Sequence, residues 1–165
     1  MNDPDDTAIK HLEYFYKLID ESPIDETACI VYINRYNDFY EIEYGLYRST
    51  VLMHCMWRNV SDKIITELVN RGANPNTGNM YIRPLEYAIY NFKLDIAKLL
   101  IDKGAAFDEY MNNACFRGLK KYIKLKYQSS LLHMMNDKSA DNIMGNCFAT
   151  TYVPQLVDVI CDFIL

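Results

Sequence analysis

"RPLEYAIYNFKLDIAKLLIDKGAAFD", Arg83 to Asp108, holds one proline, one glycine and no obvious catalytic group. Leu85, Ala88 and Ile89 fall at i, i+3, i+4, one face of a short helix. Pro84 suits the first turn, where a missing N–H leaves nothing unpaired. The pattern stalls at "YNFK" and restarts with Ile96, Leu99 and Leu100, again i, i+3, i+4. Asp95 favours the second helix's N-terminal dipole, and Lys103 with Gly104 ends it, since glycine accepts the left-handed cap conformation. The stretch therefore predicts two short helices joined by a tight turn.

Upstream, "STVLMHCMWRNVSDKIITELVNRGANPN" (Ser49 to Asn76) follows the same scheme. Thr50, Leu52 and Cys55 stand where Arg83, Leu85 and Ala88 stand later, and Ile64, Ile65, Leu68 and Val69 match Ile96, Ala97, Leu100 and Ile101. "RGANPN" aligns with "KGAAFD", so Gly72 to Gly104 is a step of 32 residues. One extra residue near the helix–helix turn separates the two copies.

A unit of about 33 residues built from two helices and a turn is the period of ankyrin repeats. The Arg83–Asp108 stretch resembles such a repeat without gaps, and Ser49–Asn76 resembles a second. The second departs in carrying Val51 for the usual proline, and Met53 and Glu86 replace the family's common histidine. "ACFRGLKKYIKLKY" (Ala114 to Tyr127) resembles a degenerate third, with Ala114 and Gly118 fitting a first helix and its turn. The resemblance implies an all-α fold, a short ankyrin solenoid of about two to three repeats closed by helical caps. The expected layout is an N-terminal helical pair and first finger over 1–47, repeats over 48–78, 79–108 and 109–127, and a C-terminal helical segment over 128–165.

In the N-terminal part, Ile9, Leu12, Phe15, Tyr16 and Ile19 share one helical face, with Asp6 or Thr7 as cap and Pro23 as breaker. "DETACIVYINRYN" follows with Ala28, Val31 and Tyr32 at helical spacing, and "DFYEIEYGLYR" suits a first finger turning at Gly45. After Tyr127, "SSLLHMMND" reads as a short helix, "KSADNIMGNCFATT" as turn-rich, and "VPQLVDVICDFIL" as a closing helix. The chain then stops without a polar cap, as a truncated longer parent or a docked terminal helix would.

Half of the 165 residues are apolar, enough for one domain with a sizeable core. A net charge of −5 argues against a general binder of nucleic acid or acidic membranes. No apolar run approaches the ~18 residues of a membrane span. "MNDPDD" lacks the basic-then-apolar pattern of a secretory leader, so a cytoplasmic protein, host-cytoplasmic if viral or a bacterial effector, is expected. The five cysteines (Cys29, Cys55, Cys115, Cys147, Cys161) are odd in number and form no C-x-x-C pair. Reduced, buried thiols fit better than a disulfide framework or a zinc site.

Phosphate loops, dinucleotide fingerprints, zincin motifs and nucleophile elbows are all missing from the sequence. His54 and Cys55 are neighbours, but adjacent helical residues point about 100° apart and do not face each other. His11 and His133 lack partners at metal spacing, and Asp3, Asp5 and Asp6 lack the further oxygen ligands of a calcium loop. "KKYIKLKY" interleaves basic and aromatic residues, yet Lys120, Lys121 and Lys124 read as the solvated face of an outer helix. A non-catalytic, cofactor-free, metal-free monomer that binds another protein is the expectation.

What the resemblance implies for the site is a concave surface of fingers and inner helices that holds a partner. The last residues of each inner helix point into it. Placing the inserted residue after Asn59 assigns Trp57 and Arg58, Tyr90 and Asn91, and Phe116 and Arg117 to these positions, an aromatic followed by a polar residue each time. The opposing expectation is that the C-terminal segment folds back over this column. Degenerate ankyrin proteins of this character occur in large DNA viruses, poxviruses among them, and in intracellular bacteria, so a host-directed binder is expected. An alternative is a ubiquitin-ligase adaptor, because "VPQLVDVICDFIL" faintly resembles the opening helix of an F-box; the acidic residue usual after the proline is missing. A third is an enzyme with an unrecognised site, which would need a pocket of converging polar groups.

Overall fold

The computed structural model describes residues 6–107, 110 and 116–136. The described residues are helical apart from turns and one isolated antiparallel bridge, Tyr44 to Ser49, so the protein is all-α. The chain divides into two compact units, Met1–Tyr110 and Met111–Leu165.

The described residues of the first unit form six helices: α1 (Asp6–Asp20), α2 (Glu26–Arg35), α3 (Val51–Trp57), α4 (Asp62–Asn70), α5 (Pro84–Tyr90) and α6 (Leu94–Asp102). They form three pairs. Helices α3 and α5 have 7 residues each, and α4 and α6 have 9 each. The starts of α3 and α5 are 33 residues apart and those of α4 and α6 are 32 apart, so the inserted residue lies in the turn 58–61, opposite 91–93.

All four helices end in the same way. After the last turn comes a residue of positive φ: Asn59 (53°), Gly72 (105°), Phe92 (56°) and Gly104 (91°). The N–H of that residue donates to the carbonyl three before it, and the next N–H reaches back five residues. In α3 these bonds are Asn59 N to Met56 O, 3.0 Å, and Val60 N to Cys55 O, 3.1 Å. In α6 they are Gly104 N to Ile101 O, 3.1 Å, and Ala105 N to Leu100 O, 2.9 Å. The closure satisfies carbonyls that a helix end otherwise leaves unpaired.

Neighbouring pairs pack side by side, α2 on α4, α4 on α6, and α3 on α5. Lys63 reaches Glu26 at 3.1 Å and Lys93 reaches Asp62 at 2.8 Å, joining the N-terminal ends of α2, α4 and α6 in sequence. Such exposed pairs contribute little energy and chiefly mark the register. Loop hydrogen bonds repeat the linkage. The Glu41 carboxylate accepts from Asn74 N at 2.8 Å and from the Thr77 hydroxyl at 3.2 Å. Asn76 donates to Gly104 O at 3.0 Å and accepts from Ala106 N at 2.8 Å.

The core runs through every pair: Leu12, Phe15 and Ile19 of α1, Leu52 and Cys55 of α3, Ile64, Ile65 and Leu68 of α4, Leu85 and Ala88 of α5, and Ile96, Ala97 and Leu100 of α6. Leu99, expected in the core, is only partly buried, because Ile96 and Leu100 hold the inward face. In α2 the fully buried residues are Cys29 and Ile33; of the stripe read from the sequence, Val31 is exposed, Ala28 is half-buried, and Tyr32 is half-buried with its ring against Phe15 and Phe39. The Asp25 side chain caps α2 by accepting from Ala28 N at 3.0 Å.

In the second unit, α7 (Arg117–Asn136) is one continuous helix of 20 residues, with Leu119 and Ile123 buried. The sequence reading put a helix turn at Gly118 and a separate helix at "SSLLHMMND"; Gly118 instead lies inside α7, which crosses the expected 127/128 boundary unbroken. No proline or glycine interrupts "LKKYIKLKYQSSLLHMMN". The turn-rich and closing-helix readings of the C-terminal region lie outside the described residues. No described helix is long and apolar enough to cross a membrane.

Ala88 is fully buried, so Ala88→Asp places a carboxylate in the core at a penalty of several kcal/mol against a stability of roughly 5–15 kcal/mol. Loss of the cooperative thermal transition is expected by circular dichroism. Phe92 and Gly104 occupy equivalent left-handed positions with opposite steric consequences. Phe92→Gly relieves about 1–2 kcal/mol of backbone strain, partly offset by the freer unfolded chain, and should raise stability by up to ~1 kcal/mol. Gly104→Ala should lower it by about 1 kcal/mol or more. Chemical denaturation of the two variants reads both signs.

Candidate functional site

Helix α3, "VLMHCMW", buries Val51, Leu52, Met53, Cys55 and Met56, and α5 buries Pro84, Leu85, Ala88 and Ile89. Each then ends on a large aromatic residue left in solvent, Trp57 at 63% exposure and Tyr90 at 49%. Arg58 and Asn91 follow, both exposed. The Arg58 guanidinium pairs with Asp20 at 2.7 Å, and Asn91 Nδ2 donates to Tyr87 O at 2.9 Å. Phe116 and Arg117 belong to the second unit; Arg117 is exposed, but Phe116 has 0% exposure. The predicted third aromatic therefore presents no ring to a partner. Alignment to a degenerate repeat places Phe116 by spacing, and spacing does not determine burial.

Two further exposed surfaces were not read from the sequence. Phe92 follows Tyr90 by two residues and is 81% exposed at a backbone angle that favours glycine. The loops before α3 and α5 carry Leu46, Tyr47, Met80 and Tyr81 at their tips, all exposed. Met80 N donates to Tyr47 O at 3.3 Å, and the Tyr47 and Tyr81 rings lie 5.9 Å apart, which ties the two tips together. Asn79 shapes the second tip by accepting from Tyr81 N and Ile82 N at 2.9 and 3.0 Å. A side chain at Gly78 would stand 2.3 Å from Ile82 O, so glycine is required there. Apolar residues flanking a turn are the signal that would have found this surface.

An aromatic series leads from the first finger to Trp57. Tyr44 and Tyr16 have ring centroids 5.8 Å apart, Tyr16 and His54 4.4 Å, and His54 and Trp57 6.3 Å with an edge contact. Burial raises the Tyr16 phenol far above its ordinary value, assisted by Cys55 and Tyr44, so it stays neutral. Burial also lowers the pKa of His54, a shift that Asp20 opposes and Arg58 supports. Cys55 is buried and its thiol is pushed up strongly by that burial; burial with Asp25 and Glu21 raises Cys29 to about 11. Neither thiol is a thiolate at neutral pH, and their chemistry is that of core residues. Among the described residues no three His, Cys, Asp or Glu side chains are grouped to hold a metal.

Comparison with family models, curated proteins and solved structures returns no match to this chain.

The His54 shift gives a pH dependence. Folding lowers its pKa below the ordinary 6.5, so on acidification the unfolded chain binds the proton first. The contribution is fully present above about 6.5 and is lost as pH falls from there through the folded-state pKa. Glu26, held below its ordinary 4.5 by its hydrogen bond from Lys63, adds a separate loss only in more acidic solution. The melting temperature should therefore drop as pH falls below about 6.5, and His54→Gln should flatten that step. Differential scanning calorimetry across the range checks it.

Proposed function

We propose that this protein is a non-catalytic protein-binding module of the ankyrin-repeat kind, which takes its partner on the surface carrying Trp57 and Tyr90. The observation that carries the reading is the contrast within α3 and α5. Nearly all their apolar side chains are buried, yet the last residue of each is an exposed ring. Aromatic residues and arginine dominate interface hot spots. Arg58 and Asn91 stand beside the two rings, and Phe92 with the linked finger tips extends the apolar surface. An equal step of 33 residues in helix start, helix end and left-handed turn residue supports the repeat assignment, because Trp57 and Tyr90 then occupy the same place in successive units. The free, buried Cys29 and Cys55 suit a reducing, cytosolic setting. The ligase-adaptor reading rests on Pro154 to Leu165, outside the described residues.

The test is the double variant Trp57→Ala, Tyr90→Ala, compared with wild type in affinity capture from cell lysate and in a thermal melt. Both rings are largely solvated, so the melt should shift little. Partner capture should be lost, since each anchor typically contributes ~2 kcal/mol or more. Undiminished capture by the folded variant would refute the assignment.

A further inference from the structure

The face of the N-terminal pair formed by Tyr14, Val31 and Tyr32 is a second surface with its own chemistry. Helices α1 and α2 run antiparallel, as the cross-pair ring contacts show: His11 stacks on Tyr36 at 4.0 Å, and Tyr14 lies 5.0 Å from Tyr32. Between them is a groove of about 550 Å³. Tyr14 and Val31, at 52% and 60% exposure, leave it open to solvent. This is where the Ala28–Val31–Tyr32 stripe goes: α2 has one apolar face in the core and a second lining the groove.

The groove is polarised along its length. Lys10 and Arg35 stand at one end, and Leu18 and Ala28 at the other. Eight residues of α1 separate Lys10 from Leu18, a span of about 12 Å at 1.5 Å per residue. Among the described residues the lining contains no carboxylate, although the chain has 22 acidic residues against 17 basic ones. Two acids beside it are engaged, Asp38 by His11 Nδ1 at 2.9 Å and Asp6 by Lys10. Arg35 lies over the Tyr36 ring, 5.3 Å from its centroid, and has no ion-pair partner among the described residues.

We infer that this groove docks an acidic amphipathic helix of a partner protein, with a carboxylate on Arg35 and apolar side chains laid two turns along toward Leu18 and Ala28. A helix presents side chains at this spacing on one face, and a guanidinium takes a carboxylate through two parallel hydrogen bonds. The inference rests on groove residues alone and is independent of the Trp57 surface.

The test uses two synthetic helical peptides with the same leucine face, differing only in glutamate or lysine two turns from the leading leucine. Each is titrated into the full chain and followed by amide NMR shifts and by anisotropy of the labelled peptide. The glutamate peptide should shift residues of α1 and α2 and bind at least about tenfold more tightly than the lysine peptide. Arg35→Glu, at an exposed position, should reverse that preference with an unchanged melt. Equal affinity of the two peptides, a preference unaltered by Arg35→Glu, or shifts centred on Trp57 would each overturn the proposal. So would a dimer in sedimentation of the chain alone that Val31→Glu dissolves, which would make a second copy the occupant, or benzoate giving the same shifts at matching concentration, which would make it a small-anion site.

Discussion

A helix of seven or nine residues does not hold itself together in water, since nucleation is unfavourable and isolated helices shorter than about 12–15 residues are marginal. Helices α3 to α6 all fall below that length. Their stability must come from lateral burial, and lateral burial requires the chain to reverse closely enough for consecutive helices to touch. Asn59, Gly72, Phe92 and Gly104 provide the reversals, each in the left-handed region with the same pair of back-reaching hydrogen bonds. The core of the first unit follows from these four positions. Asn59 returns α4 against α3 and Phe92 returns α6 against α5, and Leu52, Cys55, Ile64, Ile65, Leu85, Ala88, Ile96 and Ala97 are buried.

The polar links between pairs serve a different purpose. Packing of apolar side chains is non-directional, so it brings helices together without fixing their offset along the stack. Glu41 and Asn76 fix it. Each sends one side chain to two groups of the following segment, Glu41 to Asn74 and Thr77, and Asn76 to Gly104 and Ala106. A slip along the stack would leave backbone groups of the loops unpaired, which is more consequential than the loss of any single exposed ion pair.

What could be read from the sequence depended on how local its cause is. Pro84, Gly104 and the i, i+3, i+4 triplets act within one turn, and the pairs α3/α4 and α5/α6 were legible from them, including the extra residue in the 58–61 turn. The all-α class followed. Helix α2 was legible as a helix but misread as to face, because it has two apolar stripes and spacing alone does not say which one meets the core. Cys29 and Ile33 are fully buried, while Tyr32 lies between the two faces, its ring against Phe15 and Phe39 of the core and against Tyr14 and Tyr36 of the groove. The expected third repeat, 109–127, departs from the structure for the opposite reason. Alignment to a motif supplied a turn at Gly118 that helix propensity over the following 18 residues overrides. Of the six predicted partner residues, five are exposed and Phe116 is not. The finger tips escaped notice because loops are expected to be polar, and Leu46, Met80 and Tyr81 are the exception.

That exception and the backbone at Phe92 belong together. Asn59 occupies the equivalent turn and tolerates the left-handed region through its short polar side chain. Phe92 gains no such relief, and with its ring in solvent it gains little packing in return. A folded domain under selection for stability alone would place asparagine or glycine there, as it does at the other three reversals. The proposed contact surface would account for strain held at an exposed aromatic two residues from an exposed tyrosine, which folding alone does not. The same reasoning applies to Trp57, which ends a helix whose other apolar residues are all buried. On the proposed reading, a partner covers the part of the indole left solvated beyond its edge contact with His54, and that area then becomes stabilising.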